Sequence, residues 1–214
     1  MNVLALDSAT EALVVALRAG PRLYTRCVRE GLRHAQTMVP QVQQVLAQAS
    51  IPAGALDLVV VGVGPGSFTG LRIALSTAAG LARGAGCPVV GIPTLDAIAW
   101  PTQAWPGVVV AVLDARKGRV YAACYRGAGR VSEFLDVAAE DLPGAVDGQQ
   151  PVLVTGPFAR EVGSRFPSWT LDPAHAEPSG IGLLELGIAA SGHGGGAQAV
   201  PVYLRKTGAE TSIT

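Results

Sequence analysis

Charge is scarce in this chain: 15% of its 214 residues are Asp, Glu, Lys or Arg, and the 16 cations match the 16 acids. Without a basic field there is no electrostatic footprint for tight, direct binding of RNA or of an anionic membrane. Cysteine is scarce too. Cys27, Cys87 and Cys124 are odd in number and lack CxxC spacing, which argues against a disulfide framework or a thiolate zinc site and for reduced thiols in a cytoplasm. Histidine pairs at metal-ligand spacing are missing: His34 is followed four residues later by Met38, and His175 and His193 stand alone. No apolar run reaches membrane-spanning length, and the segment Met1 to Asp7 has neither a basic region nor a cleavage site. These absences predict a soluble, cytoplasmic protein.

Apolar residues are what the chain has in plenty, 49% of the total with a mean hydropathy of +0.36. That supplies two small lobes with cores and leaves apolar surface for another protein to cover.

The rest is organised around Gly64-Pro65-Gly66-Ser67-Phe68-Thr69-Gly70-Leu71-Arg72, which lies between the apolar run Leu58 to Val63 and the Ala-rich run Leu71 to Ala85. The first run suits a central strand buried on both faces, and Pro65 ends it. Gly64, Gly66 and Gly70 admit positive φ or close backbone approach, while Ser67 or Thr69 can cap a helix starting by about Gly70. A glycine turn feeding a helix is a place for an anion. However, the Walker pattern needs Gly-Lys-Ser/Thr where Leu71 follows Gly70, and the dinucleotide fingerprint needs a glycine where Thr69 stands. Neither motif is present. Arg72 sets a cation in the first helical turn, against the dipole, so it either ties down the turn or meets a partner or ligand.

Strand-like runs at Val3 to Leu6, Ala12 to Leu17 and Leu23 to Val28 are separated by Asp7-Ser8-Ala9-Thr10 and Gly20-Pro21. An amphipathic helix from His34 to Ala49 follows, with Met38, Val42 and Val45 on one face and Pro40 either in its first turn or kinking it. After the central strand and second helix, Pro88 to Ile92 completes the order βββαβαβ. The order recurs weakly: Val108 to Leu113, Val120 to Tyr125, Val131 to Leu135 and Val152 to Val154 read as strands, Phe158 to Gly163 and Ile181 to Ser191 as helical pieces. Asp7 and Asp114 each end a first strand. Residues 1–104 are therefore expected to form an N-terminal lobe, and residues 105–214 a smaller C-terminal lobe with the final helix and tail.

Two such lobes resemble the α/β superfamily of actin, Hsp70 and sugar kinases, with its ribonuclease H-like units, in which the first hairpins embrace nucleotide phosphates and metal. The resemblance sharpens in Leu4-Ala5-Leu6-Asp7-Ser8-Ala9-Thr10-Glu11-Ala12, in His34 with Pro40, and in the Gly64 to Ile73 turn. It continues in Asp114-Ala115-Arg116-Lys117-Gly118-Arg119-Val120-Tyr121 and Pro201-Val202-Tyr203-Leu204-Arg205. Together these resemble the TsaB (YeaZ) family over nearly the whole chain. The resemblance implies a non-catalytic partner of the TsaD subunit in bacterial synthesis of tRNA threonylcarbamoyladenosine, the modified adenosine beside the anticodon. It implies pairing through the two long helices with TsaD, or with a second copy when alone, and a TsaE ATPase completing the assembly. No cofactor is assigned to this chain, and the partner interface is left open as a place for ATP or ADP. Two departures stand out. Asp7-Ser8-Ala9 replaces the usual Asp-Thr-Ser, which weakens the case for nucleotide at the first hairpin; Arg119 replaces a frequent Glu and no glycine pair is placed to hold an adenosine, so the second lobe reads as a degraded nucleotide clamp.

Asp7, Ser8 and Asp114 are the degenerate phosphate-loop-like positions, although an Asp at a hairpin commonly bonds its own backbone. Ser67 has no Gly-x-Ser-x-Gly elbow and no assignable base, and reads as a helix cap. On the second helix, Leu71, Leu75 and Leu81 can pack on the helix's own sheet. That frees Ala74, Ala78 and Ala82 as a small face for close approach of another helix, with Leu71 and Arg72 at its end and Met38, Val42 and Val45 beside it. Two rival functions remain. An ATPase or phosphotransferase using Asp7, Ser8 and Asp114 would need a base and an adenosine pocket, and Gly194-Gly195-Gly196 reads only as a loop. A metallopeptidase would need the missing ligand pairs. The tail after Arg205 reads as disordered.

Overall fold

The computed structural model describes residues 1–29, 33–146, 148, 150–172, 174–192 and 199–204. The expected tail after Arg205 and the glycine run 194–196 lie outside the described residues.

The opening strands β1 (Asn2–Asp7), β2 (Leu13–Ala19) and β3 (Arg22–Val28) form an antiparallel meander, the last two joined by the two-residue turn Gly20-Pro21. Helix α1 (His34–Ala49) then crosses to β4 (Leu58–Gly62), and α2 (Phe68–Ala85) crosses to β5 (Val89–Ile92). Both β1–β4 and β4–β5 pair in parallel, giving the sheet order β3-β2-β1-β4-β5 of a ribonuclease H-like lobe. Helix α2 begins at Phe68, two residues before the expected start, because Ser67 takes the cap position itself: its Oγ accepts from the Gly70 N–H at 3.2 Å. Pro40 lies inside α1 on its exposed side.

The second sheet repeats the plan. Strand β6 (Val108–Asp114) pairs antiparallel with β7 (Arg119–Arg126), and β10 (Val152–Thr155) pairs in parallel with β6 and with β11 (Thr170–Leu171). The expected strand Val131 to Leu135 is not formed. Two shorter pieces flank it, β8 (Gly129–Arg130) and β9 (Leu135–Ala138), both pairing with β7. Between them the Ser132 hydroxyl accepts from the Cys124 N–H at 2.9 Å, taking the place of a ladder carbonyl and interrupting the strand. The crossovers α4 (Leu142–Val146) and α5 (Ala159–Arg165) are much shorter than α1 and α2, so this lobe is the reduced one.

The helices that follow the last strand of each sheet, β5 and β11, are exchanged between lobes. Helix α3 (Thr94–Ala99) leaves the first sheet and places Leu95 and Ile98 among Val109, Ala111, Leu113 and Leu153 of the second. Helix α6 (Gly180–Gly192) returns from the second lobe and places Leu183 and Leu184 against Val3, Ala5, Val14 and Val60 of the first. The boundary expected at residue 104 thus separates the sheets but misassigns the last helix, whose apolar side is completed by the first sheet. Segment 199–204 also returns there, the Val202 N–H donating to the Val63 carbonyl at 2.7 Å. Among the described residues no helix is long and apolar enough to cross a membrane.

Candidate functional site

The carboxyl ends of β1, β4 and β5 meet where an α/β sheet would seat a small ligand. Asp7 ends β1, fully buried; its Oδ1 accepts from the Ala9 N–H at 2.8 Å and its Oδ2 from the Thr94 hydroxyl at 2.8 Å. Thr94 Oγ1 in turn accepts from the Gly64 N–H at 3.2 Å. Burial pushes the Asp7 carboxyl up to about 6 against the pull of these two donors. Ser8 is equally buried, and its hydroxyl donates to the Gly70 carbonyl at 2.8 Å.

The glycine turn closes over this pair. A Cβ on Gly70 would fall 1.8 Å from the Ser8 carbonyl oxygen, so the α2 backbone rests directly on the first hairpin. The Ser67 N–H donates to the Ala9 carbonyl at 2.7 Å. Gly64 adopts φ +92°, a conformation that only glycine takes without strain. Gly64, Gly66, Ser67 and Gly70 therefore act as packing and capping residues, and Thr69 sits exposed in the first turn. Asp7 and Ser8, expected as phosphate-loop-like positions, present no polar atom to a ligand. The residues here do not fit a bound nucleotide phosphate.

The corresponding turn of the second lobe is open but self-satisfied. Asp114 Oδ1 accepts from the Arg116 N–H at 2.7 Å, and its Oδ2 lies 3.1 Å from the Arg116 guanidinium. Arg116, Lys117 and Gly118 follow with φ of +65°, +56° and +74°. Arg119 pairs with Asp136 at 2.7 Å, which explains a cation at that position: it ties β7 to β9. His34 donates from Nε2 to the Thr10 carbonyl at 3.0 Å, a structural bond at the start of α1. Among the described residues no group of three or more His, Cys, Asp or Glu is placed to hold a metal.

The expected partner face is corrected by burial. Met38, Val42 and Val45 of α1 and Ala74, Ala78 and Ala82 of α2 all belong to one core cluster with Leu4, Leu6, Val59 and Val61, and Leu71 is fully buried as well. The small alanines serve close approach of α2 to its own sheet and to α1, so none of these seven side chains is available to a partner. Of the expected set only Arg72 is exposed, and its guanidinium lies 4.0 Å from the centroid of the Phe68 ring, which itself lies 5.6 Å from the Tyr203 ring. That stacking, one helical turn apart, answers why a cation is kept in this first turn.

The outward face of α2 is a different row, missed in the sequence. Phe68, Arg72, Ser76, Gly80 and Gly84 are all exposed and follow one another at four-residue steps, forming a single ridge that tapers from an aromatic to bare backbone. A Cβ on Gly80 or Gly84 would meet nothing within 4 Å. The signal was the residue type, since an unneeded glycine costs a helix about 1 kcal/mol relative to alanine.

Comparison with known proteins bears on the fold and the family. A family model described as TsaD, tRNA N6-adenosine threonylcarbamoyltransferase, matches residues 31–148. The solved structure of YeaZ from Pseudomonas aeruginosa superposes with a TM-score of 0.82 at 30% identity, covering 95% of this chain and 99% of that one. The chain belongs to the TsaB (YeaZ) family. Within the family, the tRNA threonylcarbamoyladenosine biosynthesis protein TsaB of Escherichia coli is 40% identical over 131 residues, 59% of this chain and 55% of that protein. An uncharacterized protein of Mycobacterium tuberculosis is 34% identical over 213 residues, 98% of this chain and 94% of that one. In this TsaB-family chain the Gly64-Pro65-Gly66-Ser67 turn closes the first hairpin.

Proposed function

We propose that this chain is the non-catalytic docking subunit for a TsaD-type threonylcarbamoyltransferase, acting in the cytoplasm in synthesis of tRNA threonylcarbamoyladenosine. It contributes a surface and no chemistry. The observation that carries the reading is the exposed ridge of α2, where Gly80 and Gly84 have no neighbour of their own that requires glycine. A partner helix lying across Ser76, Gly80 and Gly84 would approach the α2 backbone closely, and α1 beside it offers the exposed Val39, Gln43 and Gln44 to the same partner. When the partner is absent, a second copy takes the same ridge, and TsaE joins the assembled pair. Any nucleotide used by the assembly is held by the partner or at the joint, because Asp7 and Ser8 face inward.

The rival reading as an ATPase would need those two residues to reach a phosphate, and sealed as they are they support the docking role instead. Reconstituted modification tests the proposal: TsaD from the same organism, with the remaining enzymes of the reaction, is assayed for modified tRNA with wild type or Gly80→Arg. A bulky cation on the ridge should lower affinity roughly a hundredfold or more and leave tRNA unmodified at low subunit concentration. Full modification by the variant, or without this chain at all, would refute the role.

A further inference from the structure

The connection from β11 to α6 crosses between the two lobes, and each lobe holds it by side-chain contacts. On the second lobe, Thr155 at the end of β10 donates to the Asp172 carboxylate at 2.9 Å, and the same hydroxyl lies 3.1 Å from the His175 carbonyl. Asp172 also receives the Ala174 N–H at 3.0 Å and the His175 Nδ1 at 3.0 Å. Five residues on, the Glu177 carboxylate reaches the first lobe. One oxygen accepts from the Thr10 hydroxyl at 3.1 Å, and the other pairs with the Arg29 guanidinium just beyond β3. Ser179 then donates its N–H to the Ala97 carbonyl of α3 at 3.1 Å, while its Oγ accepts from the Gly182 N–H at 3.0 Å and caps α6.

Thr10 is the branch point on the first lobe. Its carbonyl accepts from His34 at the start of α1, its hydroxyl accepts from the Ala12 N–H at 3.1 Å, and the same hydroxyl lies 3.1 Å from the Glu177 carboxylate and 3.2 Å from the Ala12 carbonyl as acceptors. These contacts sit at the carboxyl ends of parallel strands in both sheets, the place where two lobes of this architecture would close around a ligand. Here the chain's own segment spans it.

We infer that residues 174–179 form an intramolecular clasp that fixes the two lobes against each other and couples the start of α1, through Thr10 and Glu177, to the second lobe. The inference rests on bonds within this chain and is independent of the docking role. The Glu177 side chain is 16% exposed, so its two partners are not readily replaced by water.

Hydrogen exchange by mass spectrometry on the full chain tests the clasp. Glu177→Ala should raise exchange by about tenfold or more, the worth of a charged hydrogen bond, both in 174–179 and across the chain gap in residues 8–12 and the first turn of α1. Thr155→Val, acting from the other lobe, should loosen 174–179 in the same way. Should Glu177→Ala prevent folding, Arg29→Ala, whose side chain is 61% exposed, carries the same test with a smaller effect. Faster exchange confined to 174–179, with residues 8–12 and α1 unmoved in Glu177→Ala or Arg29→Ala, overturns the coupling.

Discussion

The Asp7 carboxylate lies directly over Gly62: a Cβ on Gly62 would fall 1.8 Å from Asp7 Oδ2 and 2.4 Å from its carboxyl carbon. The last residue of β4 is glycine because the neighbouring strand ends in a buried acid that needs the room. Gly62→Ala must therefore push Asp7 off Thr94, leaving a buried carboxylate short of a donor. We expect a loss on the order of 3 kcal/mol, read as a lower urea midpoint with an unchanged slope.

Asp7 also sets a pH dependence. Its carboxyl titrates near 6 in the folded chain against 3.8 as the ordinary value, so between those pH values the folded state binds more protons than the unfolded one. The contribution of this group is fully present below about pH 4 and is lost as pH rises through about 6, a change of roughly 3 kcal/mol. Subtracting the stability profile of Asp7→Asn from that of wild type should reveal this falling limb. A flat difference across pH 4 to 6 contradicts the assignment.

How much of this was legible in the sequence depends on the scale of the signal. The bounds of α1, His34 to Ala49, follow from a strong apolar period, and the turn into α2 follows from its glycines and Pro65. The facing of α2 was not legible, because alanine at 74, 78 and 82 and small residues at 76, 80 and 84 make both sides equally slim. Only the glycine content of one row distinguishes inside from outside. The sealing of Asp7 depends on Thr94, 87 residues away, and on the exchanged helix it begins. Helices as short as α3 and α4 carry too few turns to show a period.

The glycines of the ridge predict opposite effects on stability and on association. Gly80→Ala and Gly84→Ala meet open space, so each should raise the stability of the lone chain by about 0.5 to 1 kcal/mol in thermal or urea unfolding. The same methyl groups stand where a partner backbone is to pass, and each should weaken association.

Isolated chain titrated with magnesium ATP should give no saturable heat, since both oxygens of Asp7 and the hydroxyl of Ser8 are committed within the fold. Saturable binding that is lost in Ser8→Ala would show that the first hairpin opens to phosphate after all.

The most direct test of the docking surface is light scattering coupled to size exclusion, with the chain mixed with TsaD from the same organism. Wild type should elute as a heterodimer. Gly80→Arg should elute apart from TsaD while keeping its unfolding midpoint. Ala78→Arg, two residues away but buried in the core, should fail to fold. A stable complex between TsaD and folded Gly80→Arg would contradict the account.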